Sequence, residues 1–526
     1  MRFGTAALRA ARAQRAPVPL LTINTHGTAP LLPTAHLAVQ AGSVLLAPLA
    51  CQVPRSSRDP TTIPFWPWLL EWPELDFRYA VQDRRVEIAA VDVTISADAH
   101  LPAALVSATQ ATYRLDLWFP GTTLTDVVPA MAGTLIGAPT VQADGSVRVA
   151  LVDGTPAVQK QFPAGVIAAE DFPSAPQGIV GNRPRQTVFG PFPTRLLCVP
   201  LDSDGVHFYV CDPPASVKPA LVYIDGRQLD DAQALIEDAT ARTGYDYTVL
   251  TLKRPSEESG PLGEVAVSHG IGIDAVGVIE GLAAYAGILT DAVSQAYLRR
   301  LDLLFPMSAL LNASADAWEL IRDRFAPQTD CAAYMRLGQM RLLPVRPVSG
   351  RYFTLGGNLR ARELDVTQPT WVLANDIIVR AGRDHAGSSE STGAPLLTIR
   401  RSAESGSMAM QQLARRSMTK YGRLSLPPVD ALDLQVHDSL DGQARSAAAE
   451  RLADTLLMTH ALAPQLWRYQ ALWADGLSVE VGDGAFLTDE NEGLDEEPAI
   501  IVRQWCGPTG PVLEFLTGCA LWTGAV

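Results

Sequence analysis

Glycines spaced as in a nucleotide-binding turn stand at residues 270–275, where Gly270 and Gly272 begin a G-x-G-x-x-A pattern. Such glycines allow the backbone to approach a pyrophosphate at the start of a helix. The pattern follows a predicted strand at 264–268, as a dinucleotide site requires. That site also needs a second strand soon after the helix, but another helix begins near Asp291 instead. We therefore interpret the glycines as a turn that leads into a helix, and we predict no cofactor.

Thiols are the next candidates for chemistry, and the sequence has six: Cys51, Cys198, Cys211, Cys331, Cys506 and Cys519. No C-x-x-C pair occurs among them, so a zinc ribbon or a thioredoxin-like site lacks support. Each of the pairs Cys198/Cys211 and Cys506/Cys519 brackets a turn-like segment, so its members are able to meet across neighbouring strands. Buried free thiols are the default interpretation, and metal or iron–sulfur ligation by some of them stays an open alternative.

A run of carboxylates at residues 489–497 offers oxygen ligands of the kind that calcium prefers. The run lacks the D-x-D-x-D-G spacing of a calcium loop, and it lies between two predicted strands. We therefore predict a solvated hairpin tip there and no metal site.

Hydrolytic chemistry has no recognisable signature in the sequence, which contains no G-x-S-x-G, H-E-x-x-H or Walker A pattern. The eight histidines do not cluster, and His437 and His460 have structural-looking neighbours. No nucleophile and base can be paired, so we predict that the protein is not an enzyme and has no catalytic residue.

An aromatic segment comprises Phe65, Trp66 and Trp68, with Trp72 close behind. Such a segment is able to bind a sugar or to anchor a partner chain. We favour the partner interface, because aromatic side chains in a proline-rich segment bury a large area at a low entropic cost.

Alternating apolar and polar residues predict antiparallel strands in the first 200 residues, at 77–81, 86–93 and 113–119. Residues 171–193 contain five prolines and no helical period, which predicts an extended crossing segment or linker.

The next region mixes predicted strands and helices. Strands are predicted at 221–225 and 245–252, and helices at 230–244, 275–288, 292–304 and 314–325, the last with Ser314 as N-cap.

Strands return beyond Cys331. They are predicted at 334–345, 352–355, 371–379, 396–400, 477–483, 499–505 and 511–516, with helices at 408–420 and 442–461. With 526 residues, the chain is long enough for several domains. We predict a β-rich α+β fold with an N-terminal β-rich region at 1–200, an α+β domain at 201–330 and a C-terminal strand–helix–barrel region at 331–526.

Charge and hydropathy limit the classes of function. The net charge is −14 and the pI is about 5.1, which argues against a nucleic-acid-binding surface but allows a duplex to slide past an acidic wall. The apolar run at 18–23 is too short for a signal peptide, and no window reaches the length of a membrane span, so we expect a protein that is soluble when made.

The order of patterns in the last third carries a resemblance. A strand with Asn375 and Val379 is followed by a helix that ends in Tyr421-Gly422, by an alanine-rich helix, and by Gly482-Asp483 before the closing strands. We expect Gly422 to end its helix in the αL conformation, and Gly482-Asp483 to form a tight turn in which the aspartate accepts backbone N–H groups. This order resembles the hub proteins of bacteriophage tails, which are related to hubs of contractile injection systems and gene transfer agents. Residues 314–343 look like the helix and first strand that precede the module, and residues 115–121 look like the edge of an N-terminal hub barrel.

The resemblance implies small antiparallel β barrels of the hub type and an α+β insertion. It implies a ring, as a homotrimer, that closes the tail tube and joins it to tip or fibre proteins, with the distal tail protein and tape measure as further partners. DNA would contact the ring only in passage through its lumen. The expected location is the virion, at the tail tip, after synthesis in the host bacterial cytoplasm. A receptor-binding or cell-wall-degrading tail-tip protein is the alternative.

Overall fold

The computed structural model shows a β-rich protein with several small sheets and a smaller share of helix, which confirms the α+β class. The described residues are 5–13, 15–24, 43–97, 111–135, 139–152, 161–162, 165–189, 196–212, 219–225, 227–230, 233–253, 264–269, 277–311, 315–347, 349–363, 371–383, 395–438, 443–518 and 520–521.

Strands dominate the first 200 residues, and the three predicted runs all form strands there. The elements are α1 (Thr5–Arg12), β1 (Val18–Asn24), β2 (Ser43–Leu46), β3 (Cys51–Pro54), β4 (Thr62–Phe65), β5 (Leu75–Ala80), β6 (Arg85–Ile88), β7 (Val91–Ile95), β8 (Thr112–Trp118), β9 (Val128–Thr134), β10 (Thr140–Val141), β11 (Val147–Leu151), β12 (Gln161–Phe162), β13 (Thr187–Phe189), β14 (Leu196–Leu197) and β15 (Val199–Pro200). β1 and β8 lie side by side in a four-stranded sheet of order β2-β1-β8-β9, and both are buried along their whole length. The sheet is therefore covered on both faces at its centre.

The proline-rich segment is folded back on itself, so the prediction of an extended crossing at 171–193 is wrong for its first half. Residues 171–182 form successive turns, in which the amides of Ile179 and Val180 both donate to the Pro176 carbonyl. Proline fixes φ near the value that such turns need, which explains the outcome. Only β13 at its end is extended, and residues 190–193 lie outside the described residues.

The central region contains two four-stranded sheets with the orders β15-β16-β20-β19 and β14-β21-β17-β18. Its further strands are β16 (His207–Cys211), β17 (Pro219–Ile224), β18 (Arg227–Gln228), β19 (Ala234–Thr240), β20 (Asp246–Leu252), β21 (Val265–His269), β22 (Ala309–Leu311) and β23 (Ala315–Asp316). The predicted strands at 221–225 and 245–252 are confirmed.

The helix predicted at 230–244 is wrong, because those residues contain the edge strand β19. Ala234 pairs with Leu252 and Thr240 pairs with Asp246, so β19 pairs with β20 in an unbroken antiparallel register. Ala234 and Ile236 are half-buried while Leu235 between them is 45% exposed, which is the period of a strand. Cross-strand pairing thus outweighed a helical spacing of apolar residues.

Three helices follow: α2 (Val278–Ala286), α3 (Ala292–Leu304) and α4 (Ala317–Glu319), the last continuing as a π-helical turn at Leu320–Phe325. The helices predicted at 275–288 and 292–304 are confirmed where they are described. The side chain of Asp291 caps α3 by accepting from the amides of Val293 and Ser294. α4 is capped by Asp316 rather than by the predicted Ser314, which lies outside the described residues.

The C-terminal region contains a three-stranded sheet with two helices packed near it, a larger sheet, and further short elements. Its elements are β24 (Cys331–Arg336), β25 (Gln339–Pro344), β26 (Gly350–Thr354), β27 (Leu359–Arg362), β28 (Ile377–Arg383), β29 (Pro395–Arg401), α5 (Met408–Tyr421), β30 (Val429–Ala431), β31 (His437–Asp438), β32 (Ala444–Arg445), α6 (Ala447–His460), β33 (Gln465–Ala471), α7 (Trp473–Gly476), β34 (Gly484–Asp489), β35 (Leu494–Gly507) and β36 (Gly510–Thr517). The helices predicted at 408–420 and 442–461 are confirmed, the second starting only at Ala447.

Two predicted strands have other bounds, and a third is wrong. Residues 334–345 are part of the hairpin β24–β25, since Leu337 and Gly338 both take positive φ values, of 53° and 74°. The strand predicted at 371–379 begins only at Ile377. Residues 477–483 form turns rather than a strand. The closing strands at 499–505 and 511–516 are confirmed as parts of β35 and β36.

The larger C-terminal sheet curls around one core without closing. Its strand order is β26-β34-β35-β36-β33-β27, and β26 pairs with β34 in parallel. All six strands contribute apolar side chains to a shared core: Phe353, Leu359, Tyr469, Ala471, Ala485, Leu487, Ala499, Ile501, Leu513 and Phe515. No sheet among the described residues closes into a barrel by hydrogen bonds, so the expected antiparallel barrels are open sheets, and only two strand pairs in the described sheets are parallel, β26 with β34 and β28 with β30.

A hairpin from the first hundred residues extends this C-terminal sheet. β5 pairs with the second half of β35, and β6 pairs with β5. One hydrophobic core contains Leu75 and Phe77 of this hairpin together with Cys506 and Leu516. The predicted N-terminal and C-terminal regions therefore share a core.

Candidate functional site

Two residues of the C-terminal sequence pattern, Asn375 and Gly422, meet where the end of α5 contacts the segment before β28. Asn375, which is buried, donates from Nδ2 to the Gly422 carbonyl at 2.8 Å and to the Ser417 hydroxyl at 3.2 Å. Its Oδ1 accepts from the Leu424 amide at 3.0 Å. One amide side chain thus satisfies the backbone groups that the end of a helix leaves without partners.

The glycine at this junction has a conformation that other residues rarely adopt. Gly422 has φ 79° and ψ −176°, so the helix ends at Tyr421-Gly422 as predicted, but the predicted αL conformation is wrong. The extended ψ turns the chain toward Leu424, whose amide then reaches Asn375. Glycine is needed because a Cβ would strain the backbone at this φ.

Asp376 completes the junction with two arginines. Its carboxylate accepts from Arg400 Nε at 2.7 Å and from Arg423 Nη2 at 3.0 Å. The hydrogen bond from Arg400, with help from Arg423, holds the pKa of Asp376 below its usual range. The sequence pattern missed both arginines, although Arg423 directly follows Tyr421-Gly422.

The second pattern, Gly482-Asp483, forms the turn that opens β34. The Gly482 amide donates to the Ile501 carbonyl, and the Ile501 amide donates to the Asp483 carbonyl at 2.9 Å. Asp483 Oδ2 accepts from the Glu480 amide at 2.9 Å, which confirms the predicted bond from the backbone to this aspartate. Gly482 has φ 87°, and a Cβ there would lie 2.3 Å from Leu343 Cδ2. The close approach to Leu343 therefore requires glycine.

The acidic run at 489–497 forms the predicted hairpin tip between β34 and β35. Asp489 is buried and accepts from the Tyr469 hydroxyl at 2.7 Å. Glu492 pairs with Arg362, while Glu490 is exposed. Among the described residues, no group of three or more His, Cys, Asp or Glu side chains is placed to hold a metal.

The aromatic segment divides between core and surface. Phe65 is buried, whereas Trp66 is 49% exposed and stacks on Trp68 with ring centroids 5.4 Å apart. Leu70, close by in sequence, is 52% exposed. Trp72 packs at a tilt against Trp473 of α7. Trp66 and Leu70 thus expose apolar surface, whereas Phe65 holds the segment in the core.

The thiols that the structure describes form no disulfide. Cys198 directly precedes β15, Cys211 is the last residue of the neighbouring strand β16, and the two are not bonded to each other. Burial raises the pKa of Cys51 to about 11 and those of Cys331 and Cys506 to about 12. These thiols are therefore protonated, and poor nucleophiles, at neutral pH. Cys519 and the glycine pattern at 270–275 lie outside the described residues.

A cleft of about 280 Å³ lies where β5 and β6 meet the C-terminal sheet. Two of its lining side chains, Arg503 and Glu514, belong to a chain of ion pairs across the sheet. Arg503 Nε donates to Asp76 at 2.8 Å, and Arg468 also pairs with Glu514. This network joins the N-terminal hairpin to the C-terminal strands, so these charges have a structural role.

Comparison with known proteins gives structural likenesses alone. No family model and no curated protein matches the chain. A crystal structure of the prophage MuSo2 43 kDa tail protein from Shewanella oneidensis is similar with 9% identity and a TM-score of 0.36, over 88% of this chain and 96% of that chain. The phage P2 baseplate in its activated conformation with Ca is similar with 12% identity and a TM-score of 0.15, over 68% and 97%. A topological model of the P2 virion baseplate has 11% identity and a TM-score of 0.14, over 67% and 97%.

Among helices in the described part of the chain, none has both the length and the apolar character that crossing a membrane requires.

Proposed function

We propose that this chain is a structural subunit of a phage tail, a hub protein of the tail tip or baseplate. The observation that carries the proposal is the junction at Asn375, where the strand, the helix end and the following segment of the predicted module are joined by one side chain. Two parts of the hub-like sequence pattern, Asn375 and Tyr421-Gly422, thus contact each other in the fold, which supports the proposal.

The polar groups of this unit support a role in shape rather than in chemistry. Asn375 uses both of its amide atoms on backbone groups, and Asp376 is held by two arginines. Asp483 accepts a backbone amide inside its own turn. Groups that are engaged in this way hold the fold together, so we propose that the module acts as scaffold without catalysis.

In this role three copies would form a ring that closes the tail tube and connects it to tip or fibre proteins. Such a ring would contact the distal tail protein and the tape measure, and DNA would leave through its lumen. Each copy contributes a net charge of −14, and acidic residues on the lumen wall would repel the duplex and leave it free to slide. The ring would be found in the virion, at the tail tip, after synthesis in the bacterial cytoplasm.

Negative-stain imaging of the purified chain, with a mass measurement on the same sample, tests the proposal. We expect particles of three subunits with a central hole. A compact monomer at all accessible concentrations contradicts the hub role. A ring whose lumen is strongly basic contradicts the passage of DNA.

A receptor-binding role is the second candidate, and the exposed Trp66 favours it. It predicts that the purified chain binds host cells and that Trp66→Ala weakens this binding at least tenfold, because stacked aromatics supply much of the energy of such contacts. Leu303→Ala, which changes a side chain that is 84% exposed on α3, is the matched control. Equal binding by both variants rejects a role for Trp66.

A further inference from the structure

The outer face of α5 carries basic and apolar side chains that nothing in the described chain covers. The inner face packs through Ala414 and Ser417, which are buried. On the outside, Met408 is 78% exposed and Met418 is 38% exposed. A methionine with most of its surface in water is a candidate for burial in a partner, since thioethers adapt to irregular apolar surfaces.

Positive charge accompanies these methionines. Helix α5 contains Arg415, Arg416 and Lys420, all exposed, and no acidic residue. Arg416 and Lys420 are neighbours on the helix surface because they are four residues apart, and Met408 lies on the same exposed side. These residues belong to a chain with a net charge of −14, so α5 is a basic surface on an acidic protein.

An acidic and aromatic surface lies on the C-terminal sheet. Tyr352 of β26 is 60% exposed and stacks on Phe486 of β34, with ring centroids 5.0 Å apart. The hairpin tip that follows β34 exposes Glu490, and the first residues of β35 beside it expose Asp495 and Glu496. The aromatic pair therefore adjoins a hairpin whose tip carries exposed carboxylates.

We propose that α5 of one copy docks on the Tyr352–Phe486 surface and the acidic hairpin tip of a second copy. Arginine and lysine of the helix would face carboxylates, and the methionines would contact the aromatic rings. Within the described residues, no ion pair joins the two surfaces of one chain: Glu492 of the hairpin pairs with Arg362, and Arg415 donates to Ala403 and Gln411 of its own region.

The pairing joins two different surfaces, so it is heterologous and repeats from copy to copy. Such contacts close into a ring when the rotation between copies allows it. The inference rests on the proposed hub function and names the contact between its subunits. A nucleic acid is the less suitable occupant, because the α5 surface is part of an acidic chain and exposes methionines that a phosphate backbone does not need.

Charge reversal tests the contact on the full-length chain. We expect the double change Arg415→Glu with Arg416→Glu to weaken self-association at least tenfold, measured by sedimentation equilibrium. The double change Glu490→Lys with Asp495→Lys is expected to do the same. The chain that carries all four changes should recover most of the association, because the charges are again opposite.

The matched control is Arg299→Glu with Arg300→Glu, an equal charge change on the exposed face of α3, which should leave the association unchanged. Circular dichroism verifies that each variant is folded. Met408→Ala with Tyr352→Ala tests the apolar part without altering charge, and it should also weaken association.

Each result decides the inference. Trimers that persist in both reversal variants overturn the contact and leave the hub proposal standing, whereas an unmodified chain that stays monomeric overturns both. Failure of the fourfold variant to recover association also overturns the contact. If the α5 reversal abolishes retention of a short DNA duplex while the mass is unchanged, α5 serves nucleic acid and the inference is wrong.

Discussion

Two aspartate–arginine pairs in this protein have opposite electrostatics. In the N-terminal sheet, Asp116 and Arg114 of β8 are both buried, and Arg114 Nε donates to Asp116 at 2.8 Å. At the C-terminal junction, Asp376 is buried, but its partners Arg400 and Arg423 keep 46% and 65% of their side-chain surface exposed. The chemical groups are the same, and the access of water to the arginine differs.

That difference reverses the direction of the pKa shift. Burial raises the pKa of Asp116 to about 6, although Arg114 acts against the shift. Hydrogen bonds from Arg400 and Arg423 lower the pKa of Asp376 instead. An ion pair stabilises its carboxylate only where the desolvation of the charges does not exceed their attraction. Ionisation of Asp116 therefore lowers the stability of the N-terminal sheet, whereas the pairs of Asp376 with Arg400 and Arg423 stabilise the C-terminal junction. We call these pairs of Asp376 the surface clamp.

Removing one partner of the buried pair should have the largest effect. Arg114→Met is expected to lower the free energy of unfolding by about 3–5 kcal/mol at pH 7, because the Asp116 carboxylate stays buried after its guanidinium partner is gone. Urea titration followed by tryptophan fluorescence measures the change. A loss below about 1 kcal/mol would mean that water reaches Asp116 and that the two regions do not differ as described.

The second-largest effect should be a difference between the two pairs in how stability depends on pH. Because the folded pKa of Asp116 is raised to about 6, its contribution to stability is fully present below the unfolded pKa of about 3.9 and is lost as the pH rises through 6. The change amounts to about 2–3 kcal/mol. Asp376 has a lowered folded pKa, so its contribution is present above the unfolded pKa and is lost as the pH falls through the folded value.

Urea midpoints of each asparagine variant and of the unmodified chain, measured from pH 4 to pH 7, check these windows. Relative to the unmodified chain, Asp116→Asn should gain stability as the pH rises. The difference for Asp376→Asn should grow over the same range. Parallel curves for the two variants would contradict the opposite shifts.

The amide beside the surface clamp should matter more than the clamp itself. Asn375→Ala is expected to cost about 1–3 kcal/mol, because the Gly422 carbonyl and the Leu424 amide lose their partner in a buried place. Asn375→Asp is the conservative comparison, since it keeps the acceptor for Leu424 and loses the donor. Equal stability of Asn375→Ala and the unmodified chain would remove the physical basis of the junction.

Loss of the surface clamp should have the smallest effect. Asp376→Asn is expected to cost about 1 kcal/mol or less at pH 7, because solvent already screens both arginines. Added salt should reduce this cost further, whereas the cost of Arg114→Met should respond little to salt. A salt response of equal size at both positions would show that the two aspartates have similar surroundings.

Local signals in the sequence were enough to locate many elements. α3 was predicted from apolar spacing, and Asp291 caps it as a short acidic residue at that position should. The hairpin tip at 489–497 followed from charge between two strands. Gly482 before Asp483 indicated a tight turn. The close approach of Leu343 is a second reason why this position requires glycine.

Structural features that depend on residues distant in the sequence could not be predicted. Ala234, Leu235 and Ala239 fit a helix when taken alone, and only the pairing with β20 makes this segment a strand. Arg400 is one of many arginines in the sequence until the fold places it 2.7 Å from Asp376. The pairing of β5 with β35 joins residues such as Asp76 and Arg503, which are 427 positions apart.

That last pairing has a consequence for biosynthesis. On the ribosome, β5 and β6 emerge long before the strand that covers them, and 427 residues take roughly 20–90 s to translate at bacterial or slower rates. During this interval the free edge of β5 is open to pairing with other chains. We therefore expect the chain to acquire protease resistance slowly after release from the ribosome, and to need chaperones during expression.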